Sequence, residues 1–334
     1  MSNNVHAALR KLNSRLKAVI PPPLNVSREI ANLLKISREG AYRRLRGESN
    51  FILSELIAIK KAYGISLDEL TTKGDVASFS TISLFNEKDH FPLYLDDIAA
   101  RFNKLSKTKK NHTFNVCNDL PFFRQMAYQY LIDFKLFFWC SSHLNEDRLS
   151  PIKYEASTTP LFMSKKMKEI SALYNSYPST EIWTNSTICS TLSLIEYFDD
   201  CGKFKDNITK FSILTDLVKL VVDLDKQARA GCKPLGKNDL SGKFTLYHYG
   251  LPFANDSIYL ETNGPRYLSL GFNHCNSIQT SDKRVLLEYR QWLDFTLSKS
   301  IQISQQAEKA RHALYINNVN KILDTAKRVL EPHL

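Results

Sequence analysis

The sequence predicts two domains: a small all-α domain at the N-terminus and a larger, mainly helical α+β domain that contains an antiparallel meander. Three observations predict the division. Over residues 1–75, apolar residues recur only at helical spacing, in short runs broken by turn residues. Beyond residue 84 the helical patterns lengthen, and at KFTLYHYGLPF, DSIYLETNG and RYLSLGF the period drops to two, with Gly, Pro and Asn between. At 334 residues the chain also exceeds one typical domain. The polar stretch Thr71 to Ser83 holds the linker, placed at residues 76–83 between domains 1–75 and 84–334.

The first domain reads as a series of short helices. Ala7 to Ile20 carries apolar residues at 8, 9, 12, 16, 19 and 20, and Pro21-Pro22-Pro23 stops it. Ser27 precedes a two-turn run with Ile30, Ala31 and Leu34, and Lys35 and Ile36 make a tight turn. Ser37 caps a second helix, Arg38 to Arg46, which Gly47 ends by accepting a positive φ. A third run places Leu53, Leu56 and Ile57 on one face and stops at Gly64; Ser66 with Glu69 is a capping box for a last short helix bearing Leu67 and Leu70. Two short helices across a tight turn, backed by a supporting helix, are the parts of a helix-turn-helix.

The second helix carries the chemistry. Around Ala41 and Leu45 its residues are Arg38, Glu39, Gly40, Tyr42, Arg43, Arg44 and Arg46. Arginine is favoured where a planar fork must meet phosphate or the O6/N7 edge of guanine. The stretch resembles the Xre family, the phage-repressor and Cro type of helix-turn-helix. The match lies in Ser27-x-x-Ile30-Ala31, Ile36-Ser37, the Gly47 stop, and Ala62-Tyr63-Gly64-Ile65-Ser66-Leu67-Asp68-Glu69-Leu70. The resemblance implies a bacterial, sequence-specific transcription regulator binding double-stranded DNA, with Ser27, Ser37, Arg38, Glu39, Tyr42, Arg43, Arg44 and Arg46 as the DNA-binding set. Two positions depart from the family pattern. Lys35 stands where the turn usually has Gly, and Arg44 stands where an apolar residue is usual, with Leu45 one place later, so a rotated recognition helix is expected.

Charge agrees with a polyanion partner. The chain carries a net +11, of which residues 1–75, with thirteen Lys/Arg and seven Asp/Glu, hold +6. Six well-separated cysteines without a C-x-x-C pair (Cys117, Cys140, Cys189, Cys201, Cys232, Cys275) read as reduced, mostly buried thiols of a cytoplasmic protein. No leader is evident, and the most apolar segment, Met126 to Trp139, is interrupted by Asp133 and Lys135 and falls short of a membrane span.

In the larger domain, Tyr94 to Leu105 is helical and runs into the basic patch KLSKTKKN, read as a solvated turn or, alternatively, as a secondary contact to the DNA backbone. Thr113 to Cys117 is a strand, after which Asn118 or Asp119 caps one aromatic helix, FFRQMAYQYLIDFKLFFW, apolar nearly all round and so central. Met163 to Tyr174 is helical, Thr180 to Thr184 extended, and Ile188 to Phe198 and Phe211 to Arg229 are helices stopped at Gly202 and Gly231. The meander follows, with its Asn263-Gly264 hairpin signal. Asp282 opens a helix from Lys283 to Lys299, and Ser304 caps a last one to about Leu330. From residue 84 onward the chain resembles uncharacterised C-terminal regions of a group of such regulators, at Asp119-Leu120-Pro121, Phe134-Lys135-x-Phe137-Phe138-Trp139, Glu181-Ile182-Trp183, Ser190-Thr191-Leu192 and Glu308-Lys309-x-Arg311.

No constellation points to catalysis, a cofactor or a metal. Gly231 to Lys237 fits G-x-x-x-x-G-K, but a helix precedes it, Pro234 removes an amide and Asn238 replaces the Ser or Thr that magnesium needs, so it reads as a loop. No two of the eight histidines have metal-ligand spacing, and His274 and Cys275 are adjacent and point to opposite faces on a strand. Phe244, Tyr247, Tyr249, Phe253, Tyr259 and Tyr267 read as core rather than pocket lining. The expectation is a regulator whose larger domain senses a small-molecule or protein effector; the alternative is an interaction module or divergent enzyme tethered to the helix-turn-helix. A homodimer through the larger domain is expected. The tail stripe Tyr315, Val319, Ile322, Ala326 and Val329 either joins the copies or packs on its own domain.

Overall fold

The computed structural model describes residues 3–20, 24–65, 70, 77, 79–81, 84, 90–106, 111–144, 153–155, 161–233, 242–264, 266–274 and 276–331. The chain divides into two compact units, Met1–Ser78 and Phe79–Leu334. Their secondary structure is mainly helical, with one seven-stranded mixed sheet in the larger unit. Among the described residues no helix is long and apolar enough to cross a membrane.

The smaller unit holds α1 (Asn3–Val19), α2 (Val26–Leu34), α3 (Arg38–Arg46) and α4 (Leu53–Tyr63). Its core is Leu12, Leu16 and Ile20 from the first segment, Ile30 and Ala31 from α2, Ala41 and Leu45 from α3, Ile59 from α4, and then Ile65 and Leu70. Two expectations need correcting. The cap of α2 is Asn25, whose Oδ1 accepts from Arg28 N at 3.2 Å, so Ser27 lies inside the helix. In α4 the buried anchor is Ile59, while Leu53 and Ile57 face outward at 68% and 40% exposed; a helix of three turns buries one narrow stripe, and here the stripe runs through Leu56 and Ile59. The triple proline and the Ser66–Glu69 capping box lie outside the described residues.

The larger unit is built on the sheet β1 (His112–Val116), β2 (Ser179–Trp183), β3 (Phe244–His248), β4 (Ser257–Glu261), β5 (Tyr267–Phe272), β6 (Asn276–Thr280) and β7 (Ile301–Gln302). The order is β6-β5-β4-β1-β2-β3-β7. Strands β1, β2 and β3 are parallel, pairing Thr113 with Ser179 and Ser179 with Phe244. An antiparallel meander β4–β5–β6 attaches to the other edge of β1. The expected meander was therefore misplaced by one strand: β3 belongs to the parallel ladder, and Asn276–Thr280, a polar segment without an apolar alternation, is the third meander strand.

Helices cover both faces. They are α5 (His90–Ser106), α6 (Phe122–Gln125), α7 (Gln129–Trp139), α8 (Leu161–Ser176), α9 (Cys189–Asp200), α10 (Asn207–Ala230), α11 (Lys283–Ser298) and α12 (Glu308–Leu330). Successive residues of β2 show the layering. Trp183 enters the core formed with α7, α9, α10 and α12, while Ile182 joins Val116, Tyr259 and Leu268 beneath α11. The aromatic stretch after Pro121 breaks at Met126–Tyr128 into α6 and α7 instead of forming one helix. Leu131, Phe134 and Phe137 of α7 then face one core and Ile132, Leu136 and Trp139 another, so α7 is the central helix.

The tail is settled in the same way. Ile322 and Val329 are buried in the core of their own unit, with Tyr315, Val319 and Ala326 packed against it, so that stripe is spent internally. Ser304 does not cap α12; its Oγ accepts from Leu246 N at 3.1 Å, and α12 starts after Ala307, in the left-handed region. The meander aromatics are mostly core: Phe244 and Tyr259 are buried on opposite faces, and only Tyr267 is exposed. All described cysteines are free; Cys117 and Cys140 are buried, Cys189 and Cys232 half-buried and Cys201 exposed.

Candidate nucleic-acid interface

The connection between α2 and α3 is a left-handed cap. Lys35 takes φ 53°, and Ile36 N reaches back to Ala31 O at 3.1 Å. A lysine thus occupies the conformation that glycine adopts without strain. Ser37 ends the turn: its Oγ accepts from Gly40 N at 3.0 Å and starts α3. At the other end Gly47, with φ 81°, closes α3, and Glu48 N donates to Arg43 O at 2.9 Å. Helix α1 holds this end down, because Asn13 Nδ2 donates to Leu45 O at 2.8 Å.

Caps at both ends and two inward anchors fix the rotation of α3. Ala41 and Leu45 point into the core, four residues apart. Arg44, beside them, is half-buried: its Nε donates to Glu55 Oε2 at 3.0 Å and its Nη1 to Gly40 O at 3.2 Å. Glu55 also accepts from Ile52 N at 3.1 Å, so one carboxylate ties α3 to the first turn of α4. An arginine at a position suited to an apolar residue is accommodated because its stem packs and its charge is paired. Glu55 was not legible as a partner, since the signal needed was the crossing of α3 and α4.

The remaining candidates share an outward face. Arg38, Glu39, Tyr42, Arg43 and Arg46 are exposed, at the three- and four-residue spacing of one helical face. Arg46 lies over the Tyr42 ring at 5.5 Å, and Glu48 is 3.3 Å from Arg46 and 3.9 Å from Arg43. These ion pairs are more than half exposed on the arginine side and hold the guanidinium groups only weakly against a phosphate. Ser27, on the first turn of α2, and Ser37, at the start of α3, complete the sequence-derived set; Ser27 is half-buried and Ser37 exposed.

The larger unit holds a second polar constellation, and it is closed. Glu181, on the interior strand β2 and fully buried, accepts from Arg124 Nε at 2.7 Å, Tyr174 Oη at 2.5 Å and Trp183 Nε1 at 2.9 Å. Arg124 continues to Gln227 Oε1 at 2.8 Å and lies over the Phe244 ring at 4.7 Å. Asn115 Nδ2 donates to Tyr174 Oη at 3.0 Å, and buried Lys233 donates to Tyr174 O at 2.7 Å. Burial opposes charge on Glu181, but Arg124 and the hydrogen bonds outweigh it and keep its carboxyl below the usual range. Burial drives Lys233 well below the usual lysine range. Every member is less than a tenth exposed, so the network ties the sheet to its helices and offers no opening to a solute. Among the described residues no group of three or more His, Cys, Asp or Glu is placed to hold a metal ion.

Compared with known protein families, curated proteins and solved structures, the chain matches none.

Proposed function

We propose that the smaller unit is a helix-turn-helix reader of double-stranded DNA, with α3 as its recognition helix, and that the chain is a sequence-specific transcription regulator. The observation that carries the reading is the sorting of α3: Ala41, Leu45 and the paired Arg44 face inward, leaving Arg38, Glu39, Tyr42, Arg43 and Arg46 on one exposed face. The major groove is wide enough to admit an α-helix, and guanidinium forks match guanine edges and phosphates. The excess of basic residues over 1–75 supports the same partner. In this reading the larger unit takes an effector and joins two copies, so that two α3 helices meet half-sites one helical turn apart.

Selection of preferred duplexes from a random pool tests it. On the selected site, Arg38→Ala, Arg43→Ala or Arg46→Ala is expected to cost about 1–3 kcal/mol where the side chain reads a base, with relaxed preference at one position. A phosphate contact instead weakens all sequences and lowers the salt slope by about one. Unchanged binding by the triple variant, or no duplex enriched at all, sinks the reading.

A further inference from the structure

Helices α10 and α12 pack along each other, with Leu217, Leu220 and Leu224 of the first against Leu314 and Ile322 of the second in one apolar core. Asn318 stands in α12 between Leu314 and Ile322, four residues from each, where the periodicity calls for another aliphatic side chain. It is 1% exposed. Its Oδ1 and Nδ2 are both buried, and neither has a hydrogen-bond partner among the described residues. An amide brings two donors and an acceptor with two lone pairs. Left unmet in an apolar seam, each group keeps its full desolvation penalty, and native interiors hold few such groups.

Beside Asn318 lies a cavity of about 10 Å³, lined also by Asp225, Arg311, Leu246 and Ile303. A single water needs roughly 10–15 Å³ of room for its centre and two to four polar partners. The room is at the lower end of that range, and Asn318, Asp225 and Arg311 are polar groups that line it. The polar lining is a charged pair, Arg311 Nε to Asp225 Oδ1 at 3.2 Å, at the edge of an otherwise apolar wall. The volume excludes any metabolite, and an apolar atom would leave the amide unsatisfied.

We propose that this cavity is a binding site for one water molecule, which joins the Asn318 amide to the Asp225–Arg311 pair and so fastens α12 to α10. The water accepts from Asn318 Nδ2, donates one hydrogen to Asn318 Oδ1 and the other to the Asp225 carboxylate. Sequence position alone gives no reason for an asparagine in this stripe; a water site supplies one. The site lies wholly in the larger unit and is independent of the DNA-binding reading.

A high-resolution crystal structure of the full chain is expected to show one well-ordered density peak within hydrogen-bond distance of both Asn318 and Asp225. In solution, oxygen-17 relaxation dispersion counts long-lived internal waters, and Asn318→Leu is expected to lower that count by one in a protein that still melts cooperatively. A map without the peak, with Asn318 bonded directly to Asp225 or Arg311, overturns the proposal. So does an unchanged water count in folded N318L. Should N318L fail to fold, the map of the unsubstituted chain decides alone.

Discussion

Replacing Glu181 by Gln removes one charge from the centre of the larger unit and leaves the side-chain shape intact. The carboxylate meets Arg124 Nε, Tyr174 Oη and Trp183 Nε1, all within 2.9 Å. Glutamine keeps one acceptor and turns an NH2 toward this ring of donors. Two costs follow: Arg124 loses its counter-charge in a buried setting, about 3–5 kcal/mol, and one buried donor faces another, about 1–3 kcal/mol. They overlap, because Arg124 is among the donors, and Gln227 and the Phe244 ring still hold its guanidinium. The expected loss is therefore about 3–4 kcal/mol, a large share of a stability that is typically about 5–15 kcal/mol. Urea unfolding followed by tryptophan fluorescence reads it, with buried Trp183 as a reporter inside the network. A loss under about 1 kcal/mol would refute the argument that the charge organises this core. The pair Glu181→Leu with Arg124→Met removes both charges but leaves Tyr174 Oη and Trp183 Nε1 without this acceptor, so it is expected to recover only the part of the loss that the uncompensated Arg124 charge causes. The pH dependence has a defined sign. The folded carboxyl titrates below its usual 4.5, so its contribution is present above that pH and fades as pH falls through the folded value. The gap between the natural chain and E181Q should narrow in acid.

In the smaller unit, Leu45→Ala should cost about 2–5 kcal/mol and melt that unit, whereas Arg44→Ala, which loses the part-buried pair with Glu55, should cost about 1–2 kcal/mol; thermal melts of a fragment ending at Ser78 and of the full chain compare them. Lys35→Gly relieves a left-handed lysine and should raise stability by about 0.5–1 kcal/mol, net of glycine's greater unfolded freedom; a lower melting temperature would contradict the turn geometry. Burial, and then the charges of Lys233, Arg290 and Lys243, disfavour the protonated form of His112 and lower its pKa to about 4. Its neutral form is favoured by folding, so stability should fall as pH drops from the usual 6.5 toward 4, and His112→Gln should remove about 1–3 kcal/mol of that fall in paired urea titrations.

Local signals were legible wherever one residue decides a local conformation. Ser37 as a cap, Gly47, Gly64, Gly202 and Gly231 as left-handed stops, and Asp282 as the cap of α11 all stand where the sequence places them. These features depend on one side chain and the four or five backbone groups around it. The break between α6 and α7 was not legible, because an all-round apolar stretch has no periodicity to show where a helix stops.

From the sequence alone follow the helical runs, their capped ends, the excess of arginine on one short helix and the change of period at the hairpins. Tertiary structure alone decided which partner each segment meets. Strand β3 shares its alternation with β4 and β5, yet it pairs in parallel with β2, because period two names a strand's faces and not its neighbours. Arg44 and Arg43 are adjacent and chemically identical, yet Glu55 on a crossing helix pairs the first and leaves the second outward. Glu181, Arg124, Tyr174 and Lys233 are scattered over more than a hundred residues and form one buried network only when the sheet closes against its helices. Periodicity records burial along a chain; pairing of charges and strands depends on distances that exist only once the chain has folded.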